Sequence, residues 1–180
     1  ARIGFVGNVM MDALFAIRAK AAEEIPWSRY GLVRGGYGLV TLHRPSNVDE
    51  PARLTALLEG LRMVARDRPL LWPVHPRTRR TLDQILSGPI EGLTLIEPVG
   101  YRDMTGLLDG CAVVVTDSGG LQEESTALGV PCVTVRESTE RPVTVSEGTN
   151  LMVPWPPTAG GIYATTCAAQ ARGRGTRQAT

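Results

Sequence analysis

Four short stretches carry the residue types that bind or polarise an anionic ligand. Thr116-Asp117-Ser118-Gly119-Gly120-Leu121-Gln122-Glu123-Glu124 sets a serine and two glycines directly after the apolar run CAVVVTD. Glycine lets a backbone approach a ligand without Cβ interference. A helix opening there would offer unpaired N–H groups and a positive dipole end, which suits a phosphate. Ser118 adds a hydroxyl donor. The same turn reads equally as a glycine-rich helix cap with Glu123 and Glu124 favouring the dipole, and no Lys-Ser/Thr pair makes it a P-loop. His43, in HRPSNVD, follows an apolar run and could donate to a phosphate or move a proton near neutral pH. Its alternative is an ordinary loop histidine among Pro, Ser and Asn. His75, in PVHPR, is the only other histidine and again ends an apolar run; its alternative is a hydrogen bond to a neighbouring loop. Arg136 and Arg141, in RESTERP, form either a surface ion network worth little or a fork of donors facing a diphosphate.

These stretches need a scaffold that brings them to one edge. Strand candidates are Ile3–Val6, Tyr37–Leu42, Leu70–His75, Leu93–Ile96, Ala112–Asp117 and Cys132–Arg136. Most are near-continuous apolar runs, the pattern of parallel strands covered on both faces. Helix candidates lie between them. Asp49–Asp67 spaces Leu54, Leu57, Leu58 and Leu61 by threes and fours. Arg77–Leu86, Tyr101–Asp109 and Gly120–Leu128 follow, the last ending at Gly129. Strand and helix alternating in this way predict an α/β fold, a doubly wound parallel sheet. In such a sheet ligands bind beyond the carboxyl ends of the strands, where all four stretches fall. Around Trp155 three prolines, Pro154, Pro156 and Pro157, interrupt regular structure. Thr158–Ala171 then reads as an Ala-rich helix capped by Thr158, and Arg172–Thr180 as a tail without structure.

The 180 residues suit one domain, and 43% hydrophobic with 21% charged residues is the balance of a globular protein. A net charge of +1 gives no broad attraction to nucleic acid or to an anionic membrane, so an anion must be held by local geometry. No apolar run is long enough to span a bilayer. Three cysteines, Cys111, Cys132 and Cys167, fit small buried residues in a reducing cytoplasm better than a disulfide framework. No Cys/His cluster has metal-ligand spacing, and no GxGxxG marks a nicotinamide site, so no cofactor is expected. The opening inside a strand candidate suggests a piece of something longer.

Taken together and in order, the stretches resemble the non-hydrolysing UDP-N-acetylglucosamine 2-epimerases. The matching strings are GNVMMDAL (Gly7–Leu14), LVTLHRPSNVDE (Leu39–Glu50), PVHPRTR (Pro73–Arg79), LIEPVGYRDM (Leu95–Met104), TDSGGLQEES (Thr116–Ser125) and ESTERPVTVSEGT (Glu137–Thr149). The resemblance implies two Rossmann-like domains facing across a cleft, the glycosyltransferase-B arrangement. Residues 1–155 would be the second, UDP-binding domain, and residues 156–180 an atypical helix and tail. It further implies C2 epimerisation of UDP-N-acetylglucosamine to UDP-N-acetylmannosamine through elimination and re-addition of UDP. On that pattern Ser118, Gly119 and Gly120 hold the diphosphate, and Glu124 accepts the ribose hydroxyls. Arg141 meets the phosphate or sugar, and His43 acts catalytically where leaving-group charge builds. His75 joins the substrate-binding set. Met104 stands at the uracil edge, where the family carries an aromatic residue, so only backbone recognition from Val99–Met104 carries over. The implied full-length protein is a cytoplasmic homodimer.

Two departures qualify the pattern. The family's acid/base carboxylates belong to the first domain, so this chain alone is expected to bind UDP and turn over nothing. Pro45-Ser46 stands where some members have a second arginine and an acid, which puts control by substrate in doubt. A hydrolysing relative or a non-catalytic nucleotide-binding fragment are the alternatives.

Overall fold

A computed structural model describes residue 4 and residues 7–175. Six parallel strands form one sheet: β1 (Gly38–Thr41), β2 (Leu70–Pro73), β3 (Leu93–Ile96), β4 (Val113–Thr116), β5 (Cys132–Thr134) and β6 (Asn150–Met152). Their spatial order is β3-β2-β1-β4-β5-β6. The chain therefore winds outward one way from β1 and the other way from β4. The switch point between β1 and β4 is where such a sheet opens a ligand crevice. This is the doubly wound α/β sheet the sequence predicts, and β1 to β5 fall within five of the six strand candidates. The sixth, Ile3–Val6, lies outside the described residues apart from Gly4, which is in no strand.

Side-chain alternation along the strands builds two cores. Val40, Leu70, Trp72, Val113, Val115 and Val133 face α3 (Pro51–Asp67), α4 (Pro76–Ile85) and α8 (Ala159–Arg172), meeting Leu54, Leu57, Leu61, Leu82 and Ile162. Leu39, Leu71, Val114 and Cys132 face the other way. They meet α1 (Val9–Glu23), α5 (Tyr101–Gly110) and α6 (Gly119–Leu128) through Leu14, Leu107, Leu108, Leu121 and Leu128. Period-two burial of this kind is what a sheet covered on both faces requires. Cys111 and Cys132 are buried free thiols, and burial pushes both upward, Cys111 to about 12 and Cys132 to about 11.

Several elements have no counterpart among the helix and strand candidates. α1 starts at Asn8, whose side chain accepts from Met10 N. α7 (Pro142–Ser146) is a single turn. β6 is three residues long, and its first side chain, Asn150, is fully buried and polar. Asn150 accepts from Thr134 Oγ1 at 2.7 Å and donates to Thr144 Oγ1 at 3.1 Å. A three-residue strand that opens on a polar side chain offers too short a run for periodicity to mark it.

The C-terminal helix is capped by Thr158, which accepts from Gly161 N at 3.0 Å. α8 packs on α3, and Gly60 is where the two helices close: a Cβ there would lie 2.9 Å from Ile162. The stretch expected to be without structure begins at Arg172. Through Gly175 the chain is held. Arg174 donates to the backbone oxygens of Asp109 and Cys111, and Gly175 N donates to Gly129 O at 3.1 Å. Residues 176–180 of that stretch lie outside the described residues. No helix among the described residues is long and apolar enough to cross a membrane.

Candidate nucleotide-binding site

Asp117 sits at the switch point. It is fully buried one residue beyond β4, and β1 ends beside it, with Thr41 Oγ1 and Thr116 Oγ1 2.7 Å apart. A buried carboxylate is tolerable only when its lone pairs are filled. Here His43 N donates at 3.0 Å, Arg44 N at 2.9 Å and Asn47 Nδ2 at 3.0 Å. Asn47 uses its second N–H on Val135 O at 2.9 Å, so the same amide reaches the strand end after β5. The loop after β1 is thereby folded onto Asp117. It continues as one helical turn, α2 (Pro45–Val48), led by a proline that has no N–H to satisfy.

The ring of His43 follows from that clamp. Its Nδ1 lies 3.0 Å from Asp117 Oδ1. That bond raises the imidazole above its ordinary range, against the opposing effect of partial burial. With Nδ1 occupied, Nε2 is the ring atom left for a ligand. His75 lies close by, the two ring centroids being 5.9 Å apart. His75 Nδ1 accepts from Arg77 N at 3.2 Å and caps α4, so the helix-capping role and the place at the cleft are combined in one side chain. His43, His75, Ser118, Leu121, Val99 and Met104 line a single cleft of roughly 330 Å3. A volume of that size is in the range of small-molecule sites.

α6 opens toward this cleft. Ser118 is its N-cap and accepts from Leu121 N at 3.4 Å, which leaves the hydroxyl hydrogen free to point outward. The N–H groups of Gly119 and Gly120 have no acceptor within the described chain. Neither glycine has a positive φ. A Cβ on Gly119 would have only Glu140 Oε2 within reach, at 3.6 Å, and on Gly120 only Met10 Cε at 3.5 Å and Ser118 Oγ at 3.9 Å. Backbone conformation and internal packing therefore require glycine at neither position. The space is left for something outside the chain.

The remaining sequence candidates fall around this centre. Glu124, 8% exposed, sits one helical turn past Leu121 and accepts from Tyr101 Oη at 3.1 Å. Arg141 lies beside the first turn of α6 and outside the cleft lining, its Nε 3.0 Å from Glu123 Oε1 at an angle that makes an ion pair rather than a hydrogen bond. Arg136 holds Glu140 through two bonds of 2.9 and 2.6 Å, which pull that carboxyl down to about 2. Sequence reading passed over Asp117 as a clamp, Asn47 and Tyr101. Asp117 carried one signal, an acid at a strand's carboxyl end immediately before the glycine turn. The described residues contain no group of three or more His, Cys, Asp or Glu placed to hold a metal.

A doubly wound parallel sheet with free helix amides and a clamped histidine at its switch point defines a Rossmann-like α/β domain with a candidate anion site. Comparison with known proteins gives the family. The family model of UDP-N-acetylglucosamine 2-epimerase matches residues 1–177, and the chain belongs to that family. Among relatives, the UDP-2,3-diacetamido-2,3-dideoxy-D-glucuronate 2-epimerase of Pseudomonas aeruginosa is 39% identical over 155 residues. That match covers 85% of this chain and 42% of the relative. The UDP-N-acetylglucosamine 2-epimerase of Methanocaldococcus jannaschii is 36% identical, over 84% of this chain and 44% of the relative. The crystal structure of the Methanocaldococcus jannaschii enzyme in complex with UDP-GlcNAc and UDP superposes with a TM-score of 0.84 at 33% identity. It covers 97% of this chain and 50% of that one. The chain thus spans less than half the length of these curated relatives.

Proposed function

We propose that this chain is the UDP-binding half of an enzyme that inverts C2 of a UDP-2-acetamido sugar, UDP-N-acetylglucosamine foremost. The observation that carries the reading is the pair of glycines opening α6, with unpaired amides and unused space, beside His43 at the sheet's switch point. The Methanocaldococcus jannaschii structure, which holds UDP-GlcNAc and UDP, supports a nucleotide sugar as the ligand. The two relatives differ in their sugar and share UDP and the 2-epimerase activity.

In the proposed reaction a base takes the C2 proton and the C1–O bond to UDP breaks, leaving 2-acetamidoglucal and UDP. UDP then re-adds at C1 while C2 is protonated on the opposite face. The electron pair of the broken bond resides on the β-phosphate oxygen. Donors fixed at that oxygen stabilise charge that appears only as the bond breaks. The amides of Gly119 and Gly120, the Ser118 hydroxyl and His43 Nε2 supply them. Asp117 keeps His43 in the tautomer that presents Nε2 and favours its protonated form. Glu124 takes the ribose and the Val99–Met104 segment the uracil. The carboxylates that handle the C2 proton belong to the part of the enzyme outside this chain.

Epimerisation by the longer protein that contains this chain tests the reading. In D2O, UDP-N-acetylglucosamine should yield UDP-N-acetylmannosamine with deuterium at C2, followed by NMR. Free N-acetylmannosamine with UDP would assign the hydrolysing reaction instead, and no change in either sugar would contradict the reading.

Binding should also depend on pH with a definite sign. His43 is raised above its unfolded value, so its charge is fully present below the unfolded pKa and lost as pH rises through the folded one. The ligand for the experiment is UDP-N-acetylglucosamine, because its diphosphate is a diester without a proton to lose near neutrality. Its affinity should fall about fivefold between roughly pH 6 and pH 9 as the half-exposed imidazole loses charge. His43→Gln should flatten the profile in calorimetric titrations. A flat wild-type profile would remove His43 from the diphosphate.

A further inference from the structure

Two side chains at the margin of the cleft form a pair that the diphosphate account leaves unused. Met104 and Leu121 line the cleft from α5 and α6. Three residues from each, on the same helical faces, stand Tyr101 and Glu124. Tyr101 Oη donates to Glu124 Oε1 at 3.1 Å, joining the two helices across the cleft's edge. Glu124 is 8% exposed while Tyr101 is 45% exposed. A nearly buried carboxylate is thus held by a single neutral donor that reaches the surface. Its other oxygen, Oε2, takes no hydrogen bond from the described residues. Burial lifts the Glu124 carboxyl above its ordinary range, Glu123 adds to the rise, and the Tyr101 bond opposes it. Removing that donor would turn the carboxylate loose and favour its protonated form, which no longer accepts from two hydroxyls.

We propose that Tyr101 is a positioning residue that sets nucleoside specificity: by holding Oε1 it aims Glu124 so that the carboxylate accepts from the ribose 2′- and 3′-hydroxyls. The inference rests on the UDP-binding reading. A site built to accept a hydroxyl leaves its acceptor unpaired when the ligand lacks that hydroxyl, and so discriminates more strongly than an apolar pocket can. The ligand class is therefore a ribonucleoside diphosphate, and selectivity against the 2′-deoxy form passes through the tyrosine hydroxyl.

The test compares UDP with 2′-deoxy-UDP by calorimetry on the wild-type chain and on Tyr101→Phe, which keeps the ring. The wild type should prefer UDP by about tenfold. Tyr101→Phe should bind UDP about fivefold more weakly and 2′-deoxy-UDP, which keeps only the 3′-hydroxyl, less than about twofold more weakly, and so lose part of the preference. A merely structural role would weaken both ligands equally and leave the ratio unmoved, and that result would overturn the inference. Equal binding of both ligands by the wild type would also overturn it while leaving UDP binding intact. No UDP binding by the wild type would overturn the underlying reading and the inference with it.

Discussion

Replacing Asp117 with alanine should cost about 3–5 kcal/mol of folding stability, the range for removing one partner from a buried charged cluster. The carboxylate fills its lone pairs with the amides of His43 and Arg44, the Asn47 side chain and the His43 ring. Alanine removes every acceptor at once. Two backbone N–H groups and an amide N–H then lie in a buried or half-buried site without partners, each costing about 1–3 kcal/mol. Asn47 would still reach Val135 O, so the loop would stay near the sheet while losing its hold on the switch point. Asp117→Asn should cost less, about 2 kcal/mol, because the amide oxygen still accepts from some of these N–H donors while its NH2 faces another donor. Urea denaturation at neutral pH checks both. Such a loss is a large part of the 5–15 kcal/mol typical of a domain. A loss under about 1 kcal/mol for Asp117→Ala would show that the cluster is not what fixes the loop.

The second large effect falls on binding and leaves folding alone. Gly119 and Gly120 have ordinary helical backbone, and a Cβ at either meets nothing closer than 3.5 Å. Alanine at both positions should fold without strain and gain helix propensity, so the melting temperature should hold or rise. A methyl group at each position would nevertheless occupy space through which a diphosphate approaches the amides. UDP affinity should drop about tenfold or more, equivalent to about 1.4 kcal/mol. Loss of binding without loss of stability is the signature of glycines kept for a ligand. A glycine kept for the fold gives the reverse, as at Gly110, where a Cβ would lie 2.5 Å from the Trp27 ring.

The sequence was legible where local pattern carries the information. Continuous apolar runs mark β1 to β5, and the strand-end position of HRPSNVD, PVHPR and TDSGG places them on one edge of the sheet. Ser118, Met104, His43 and His75 do line one cleft. Contacts set by distant parts of the chain were not legible. Asp117 and His43 are 74 residues apart, and no spacing rule foretells that one clamps the other. The bond from Tyr101 to Glu124 depends on how α5 and α6 lie side by side. Arg141 shows the converse. Its motif was plain, yet its side chain is engaged by Glu123 beside α6. β6 is illegible because it is three residues long and opens on a buried asparagine.

On the proposed function, the amides opening α6 grip a pyrophosphate. Calorimetric titration of the wild-type chain with UDP and with uridine, beside the Gly119→Ala/Gly120→Ala double variant, tests it most directly. UDP should bind, uridine should bind at least about tenfold more weakly, and the double variant should lose this difference. Equal affinity for UDP and uridine, or no heat from millimolar UDP with the folded chain, would contradict it.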